Sequence, residues 1–319
     1  MNDSKIKLPI SVLIPTMNRP NTLKRTLETY MQGNYIPSQV IVVDQSAEAG
    51  VREEVENVVR EYSDLAEVVY VYQKVPSSTT ARNTAYKYAQ EEIVIFSDDD
   101  IDVYHDTLFM IHQKMADTSI SMIAGIDDNM QSRTSILSYV FGMKSYKNRK
   151  IGHVTKSMLG RFPISIENKQ VDTMWAMGFF FVVRKSLVDK FQLRWDETLT
   201  GYAYAEDLDF TYSYYKMSTE LNRRCIADSD VHVRHMVSQE YRTPSKRNTY
   251  AYCVNRWYLS YKHGMGISSR MAIIWCDFGK LMLKIIKKDA PQYLLHASLY
   301  ACVHRNEIKK GKLNYDFVS

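Results

Sequence analysis

The feature that most limits what this chain can fold into is the alternation of two periodicities through its first 125 residues. Short β-branched or aromatic runs, ISVLI at 10–14, VIVVD at 40–44, VVYVY at 68–72, IVIF at 93–96 and SMIAG at 121–125, each suit one buried strand. Between them apolar residues recur at helical spacing. Leu23, Leu27, Tyr30 and Met31 mark one helix face behind Pro20, Val51, Val55, Val58 and Tyr62 mark a second, and a third helix is expected from about Ser78 to Gln90. Strand, helix and strand in repeated order require crossover connections. The expected fold is therefore α/β, a Rossmann-like, mostly parallel sheet flanked by helices on both faces.

In open sheets of this kind ligands bind beyond the carboxyl ends of the strands. That rule selects PTMNRP after the first strand, Asp44 with Gln45 after the second, and the triplet Asp98, Asp99 and Asp100 after the fourth. A dinucleotide or triphosphate held by backbone amides would need glycine in the first of these turns, and PTMNRP has none. Phosphates in such a crevice would be neutralised instead by a divalent cation, Mn2+ or Mg2+, on carboxylates. With a side-chain period of two, Asp98 and Asp100 share one side and Asp99 points elsewhere. A solvated acidic turn capping the next helix would also account for the triplet, as a turn or N-cap role would for Asp44, whose position otherwise suits base or ribose recognition. Arg82, early in the third helix with Asn83, is placed to meet either a diphosphate or the carboxylates.

The second half is less regular. MWAMGFFFVVRKSLVDKF suits a glycine turn, a buried strand and a helix, YAYAEDLDFTYSYYKM a helix with aromatic faces, and SDVHVRHMV a strand. Glu206, Asp207 and Asp209 fall at a helix start, where acidic residues are favoured by the helix dipole alone. Transfer to an alcohol, however, needs a general base close to the donor, and this cluster offers one. His232 or His235, near the end of a strand, could complete a metal site begun by a distant aspartate.

Composition narrows the setting. Apolar residues make up 45% of the 319, enough for a substantial core, and 41 Lys and Arg against 36 Asp and Glu give no charge excess that would call for nucleic acid. Cys225, Cys253, Cys276 and Cys302 are widely spaced with no CxxC pair, which fits reduced thiols in the cytoplasm. No run reaches the apolar length of a bilayer span, and none at the N-terminus has signal-peptide character.

Taken in order, SVLIPTMNRPNTLKRTLETY, IVVDQS, TTARNTAYKYA, IVIFSDDDID, MGFFFVVRKSLVDKFQLRWDETLTGYAYAEDLDF and VRHMV resemble the inverting family-2 glycosyltransferases of the GT-A fold, over roughly residues 8–240. The resemblance implies a nucleoside-diphosphate sugar donor, with uridine the expected base. Pro15, Thr16, Asn18, Arg19 and Asp44 would contact the nucleoside, with Arg82, Asp98 and Asp99 also serving the nucleotide sugar. Asp100 and His235 would be metal ligands, His235 matching better than His232. Asp207 would be the general base, Glu206 would position acceptor or base, and Trp175, Met177 and Gly178 would line the acceptor side. The acceptor would be a glycan or lipid-linked hydroxyl in cell-surface polysaccharide assembly.

Residues 1–240 are expected to form the transferase domain, with a nucleotide-sugar half to about 125 and an acceptor half from about 126. Two departures bear on the acceptor loop: FQLRWDE stands where many relatives have GGFDE, and QKVPSSTTARN lacks the glycine often found before ARN. A sugar nucleotidyltransferase would carry a glycine-rich basic loop after its first strand, which PTMNRP is not. A non-catalytic glycan- or nucleotide-binding module would have no need of the metal and base carboxylates.

Residues 241–319 are expected to form a helical, basic extension. Ile274, Phe278, Leu281 and Ile285 fall on one helical face and Lys280, Lys284, Lys287 and Lys288 gather on another. Such a helix either packs its apolar face on its own domain with the lysines in water, or makes a peripheral contact with the inner face of the cell membrane.

Overall fold

The structure is a computed structural model that describes residues 5–129, 135–163, 166, 170–200, 204–237 and 245–315. The first half follows the alternation read from the sequence: β1 (Ile6–Thr16), α1 (Pro20–Gln32), β2 (Tyr35–Asp44), α2 (Ala49–Arg60), β3 (Glu67–Tyr72), α3 (Ser78–Tyr86) and β4 (Ile93–Ser97). Pro20 opens α1, where its missing N–H costs nothing, and Leu23, Leu27, Tyr30 and Met31 form its buried face. β3, β2, β1 and β4 lie side by side and parallel, with Thr16 beside Asp44 and Asp44 beside Tyr72. Their carboxyl ends therefore share one edge of the sheet.

After β4 come β5 (Ile101–Val103), α4 (Thr107–Met115), β6 (Ile120–Asp127), α5 (Ile136–Val140), a small hairpin of β7 (His153–Val154) and β8 (Gly160–Arg161), then β9 (Gln170–Asp172). β10 (Phe180–Arg184) leads into α6 (Lys185–Lys190), and α7 (Glu206–Glu220) precedes β11 (Arg224–His235). The sheet order is β3-β2-β1-β4-β10-β6-β11-β5, with β9 also on β11. β10 enters between β4 and β6 antiparallel to both, so the sheet is mostly rather than wholly parallel. Every residue of β10 is buried, and a continuous apolar run carries no sign of its direction.

β11 pairs with β6 as far as Ala227 and resumes at His232 after a register shift. Its last residues pair with β5, which sets His235 opposite Ile101, next to the aspartate triplet. This short pairing brings a residue from the end of the sheet to the carboxyl end of β4.

The remaining chain is helical: α8 (Ser245–Lys262), α9 (Gly266–Lys287), α10 (Pro291–Val303) and α11 (Arg305–Lys309). Ala251, Val254, Trp257 and Leu259 of α8 join the same buried cluster as Phe96 of β4 and Phe210 of α7. α9 is rotated so that Ile273, Cys276, Asp277 and Gly279 face inward, while Ile274, Phe278 and Ile285 are exposed. Asp277 sets that rotation, because it is ion-paired with Arg256 at a site with almost no solvent access. No helix among the described residues is long and apolar enough to cross a membrane.

Candidate active site

Each aspartate of the triplet has a different partner. Asp99 turns towards β1 and α1, where its carboxylate accepts from the Thr16 hydroxyl at 2.6 Å and from Arg19 at 3.1 Å. The Thr26 hydroxyl donates to the Asp99 carbonyl and accepts from the Ile101 amide. Burial pushes the Asp99 carboxyl up to about 7, against the Arg19 charge and the Thr16 hydrogen bond. Asp99 thus ties the turn after β1 to the end of β4.

Asp98 and Asp100 lie on the other side, as the alternation of a strand requires. With His235 they form a group whose ligand atoms all lie within 4.8 Å of one another. His235 Nε2 stands 3.1 Å from Asp100 Oδ1, and the imidazole stacks on Phe179 with ring centroids 5.1 Å apart. The Met236 amide donates to the Asp100 carbonyl, and the His235 amide to Asp127. Burial disfavours the imidazolium, but the hydrogen bond to Asp100 and the charges of Asp100, Asp98 and Asp127 outweigh it and raise the His235 pKa. Two carboxylates and an imidazole facing one point suit a divalent cation such as Mn2+, whose binding would compete with protonation of His235. His232 lies apart from this group, stacked on Tyr104 with Nδ1 2.9 Å from Asp128.

Arg82 joins this group to the start of α7. Its guanidinium donates to Asp98 at 3.0 Å, to Glu206 at 3.0 Å and to the Gly178 carbonyl at 3.2 Å, and lies 4.5 Å from the centre of the Trp195 ring. Asn83 fixes that ring by exchanging two hydrogen bonds with the Trp195 backbone, both 2.9 Å. Glu206 and Asp207 leave the N-terminus of α7 directly after Ala205, which holds a left-handed φ of 67°. Asp207 Oδ2 accepts from the Gly178 amide at 2.9 Å and Oδ1 from the Leu208 amide at 2.7 Å.

A Cβ at position 178 would lie 3.1 Å from the Asp207 Cβ and 3.2 Å from an Arg82 nitrogen, so glycine is what allows the close approach. Burial and the Asp207 charge push Glu206 up to about 7 against Arg82. Burial also raises Asp207, against the Gly178 and Leu208 amides and the Arg82 charge, which favour the carboxylate.

The family model for glycosyl transferase family 2 matches residues 11–191, from β1 to the end of α6. The chain belongs to glycosyl transferase family 2. Glu206, Asp207 and His235 of this transferase lie beyond the matched span and meet it through Arg82, Gly178 and Asp100 respectively.

Among solved structures, the mannosyltransferase PcManGT from Pyrobaculum calidifontis in complex with GDP-Man and Mn2+ is 16% identical, with a TM-score of 0.54 over 95% of this chain and 83% of that one. S. aureus TarS 1-349 in complex with UDP-GlcNAc is 15% identical, with a TM-score of 0.55 over 97% and 89%. GalNAc-T7 with UDP, GalNAc and Mn2+ is 14% identical, with a TM-score of 0.56 over 91% of this chain and 58% of that one. At these identities the likeness is one of fold, and the fold is GT-A. No curated protein matches the sequence significantly.

The transferase places its other expected site residues unevenly. Pro15 and Thr16 end β1, and Asn18, with φ 58°, donates its amide to the Ser46 hydroxyl at 2.8 Å. Asp44 is fully buried: one oxygen accepts from the amide and hydroxyl of Ser46, the other from the Tyr70 hydroxyl at 2.9 Å. Trp175 is also buried, stacked on Phe162 at 4.8 Å and packed over Gly160, whereas Met177 is half-buried beside Gly178. Sequence reasoning missed Trp195, Asn83 as its clamp, and Asp127 behind His235. RN followed far downstream by RWDE was the available signal for the first two, but only the fold pairs them.

Proposed function

We propose that this transferase moves a sugar, with inversion, from a nucleoside-diphosphate sugar to a hydroxyl of a glycan or lipid-linked acceptor, in cell-surface polysaccharide assembly. Uridine is the expected base. The observation that carries the reading is the Arg82 bridge, which joins the cation group and the Glu206–Asp207 pair in one cleft. Residues 1–240 form the catalytic unit in this reading and 241–319 its helical extension. The setting is cytoplasmic, at the inner face of the cell membrane.

In the reaction, Asp207 accepts the proton of the acceptor hydroxyl. The oxygen forms its bond to the anomeric carbon from the face opposite the leaving group, and the electrons of the breaking bond leave with the nucleoside diphosphate. The two amides on Asp207 aim its carboxylate and favour its charged form against burial, while Glu206, paired with Arg82, orients the acceptor. A cation held by Asp98, Asp100 and His235 would offset the charge of the departing diphosphate. Asp99 and Arg19 serve the nucleotide by fixing the turn that carries Pro15 to Asn18, and Asp44 shapes the base pocket through Ser46.

A thermal-shift screen of nucleoside diphosphates with and without Mn2+, followed by their sugar conjugates, tests this reading. Stabilisation by one diphosphate that depends on Mn2+ is expected, uridine diphosphate above all. No shift with any diphosphate would remove the donor assignment.

A further inference from the structure

The outer face of α9 is apolar along its whole length. Ile267, Met271, Ile274, Trp275, Phe278 and Ile286 are each at least two-fifths exposed, where an extension packing its apolar side inward would bury them. α5 continues the same surface. The Trp275 indole donates to the Val140 carbonyl at 2.8 Å, Phe141 lies 5.2 Å from the Trp275 ring and packs against Gly279, and Ile136 and Val140 are exposed. Tyr139 and Tyr146 stack at 5.1 Å beyond it, with the Arg149 guanidinium 5.3 and 5.1 Å from their centres. One contiguous surface thus runs from an apolar helix through an aromatic rim to a basic edge.

Charge identifies what covers it. Residues 135–161 carry Lys144, Lys147, Arg149, Lys150, Lys156 and Arg161 and no acidic residue. The only acid in α9, Asp277, faces inward on Arg256, whereas the helix's own lysines lie away from the apolar face: Lys280 is turned over the Tyr252 ring at 3.7 Å and Lys284 is paired with Asp289. A second copy laid on the same surface would offer this basic edge no acidic residue from α9 or from 135–161 to pair with, because Asp277 faces inward. An anionic lipid surface complements it, and Trp and Tyr between apolar and charged zones suit the headgroup level of a bilayer.

We infer that the α9–α5 surface docks this protein on an anionic lipid bilayer through the outward apolar face of α9, with the 144–150 segment on the headgroups. The inference rests on the transferase reading for its purpose, because it gives a lipid-linked acceptor a fixed approach. α8, against which α9 packs, braces the segment before α7: Tyr204, just before Ala205, packs on Tyr252 at 5.1 Å and accepts from Asn255 at its carbonyl.

The full chain can report on itself. Trp175, Trp195 and Trp257 are at most 7% exposed and Trp275 is 48% exposed, so a blue shift of tryptophan emission on adding vesicles reports Trp275. Flotation and a blue shift are expected with phosphatidylcholine vesicles containing about one third phosphatidylglycerol, with loss on phosphatidylcholine alone and weakening at about 0.5 M salt.

Ile274→Glu with Ile286→Glu, both at exposed positions, should weaken partitioning at least tenfold while melting temperature and Mn2+-dependent nucleotide stabilisation stay unchanged. Three results overturn the inference: no partitioning of the wild type, equal partitioning of the double variant, or a wild-type dimer without vesicle binding that the double variant converts to monomer. Vesicle binding needs no turnover, so its failure and the failure of the transferase reading are told apart.

Discussion

Arg82 and Arg256 are both buried and both lie over an aromatic ring, Trp195 at 4.5 Å and Tyr252 at 4.3 Å, yet their ion pairs serve different ends. Arg256 faces one carboxylate, Asp277, which is 3% exposed, and donates to the Ser157 carbonyl. Nothing can exchange there, and the pair holds α8, α9 and the segment after β7 in one arrangement. Arg82 divides its donors among three elements, and its partner Asp98 is one third open to the cleft. The same chemistry is committed to the fold in one place and available to a ligand in the other. The difference lies in the solvent access of the carboxylate.

The largest expected effect is at the closed pair. Arg256→Met leaves Asp277 buried without its partner and should cost about 3–5 kcal/mol in chemical denaturation, while Asp277→Leu added to it recovers most of the loss. Activity per folded molecule should not change, and a fall in kcat would group Arg256 with Arg82 instead of setting the two apart. At the open pair, Arg82→Lys removes the fork that reaches Asp98 and Glu206 together. The expected result is a fall in kcat/KM on the order of 10²-fold, with a stability loss of about 1–3 kcal/mol, smaller than at Arg256 because lysine keeps the charge and water can reach Asp98.

Asp196 lies between the two regions, next to Trp195 and bound to Lys262 at 2.6 Å and to the Tyr258 hydroxyl at 2.6 Å. Burial alone would raise its carboxyl, but these bonds depress it to about 2. A carboxyl lowered on folding adds stability above its ordinary value near 4 and loses it as pH falls through about 2. Asp196→Asn should therefore cost about 2 kcal/mol at pH 6 and almost nothing at pH 2, measured by urea denaturation. A loss of stability alone would group Asp196 with Arg256, and a matching loss of kcat would group it with Arg82. The smallest effect is expected from Gly178→Ala, whose methyl crowds Asp207 and Arg82: kcat should fall on the order of tenfold with little change in melting temperature.

The parts of this architecture that the sequence reveals are those governed by local periodicity. β1 to β4 and β6 announce themselves by β-branched runs, and α1 and α2 by their apolar spacing. The triplet could be divided into Asp98 and Asp100 against Asp99 from pleating alone. What escaped depends on contacts between distant segments. The antiparallel insertion of β10 has no local mark, and neither has the β5–β11 pairing that carries His235 to Asp100. The resemblance marks Trp175 as an acceptor contact, and the buried slot that Phe162 and Gly160 form around its ring has no local mark in the sequence. The rotation of α9 was also hidden. Its apolar residues alone would turn inward, and the partner that prevents this, Arg256, lies on another helix.

The central claim is that Asp207, held by two amides and next to the Glu206 that Arg82 links to the cation group, takes the acceptor proton. Its most direct test is a comparison of wild type and Asp207→Asn for Mn2+-dependent sugar transfer or donor hydrolysis, with diphosphate binding measured calorimetrically on the same samples. Turnover lower by about 10³-fold or more with diphosphate affinity retained is the predicted result. Full turnover by Asp207→Asn would contradict it.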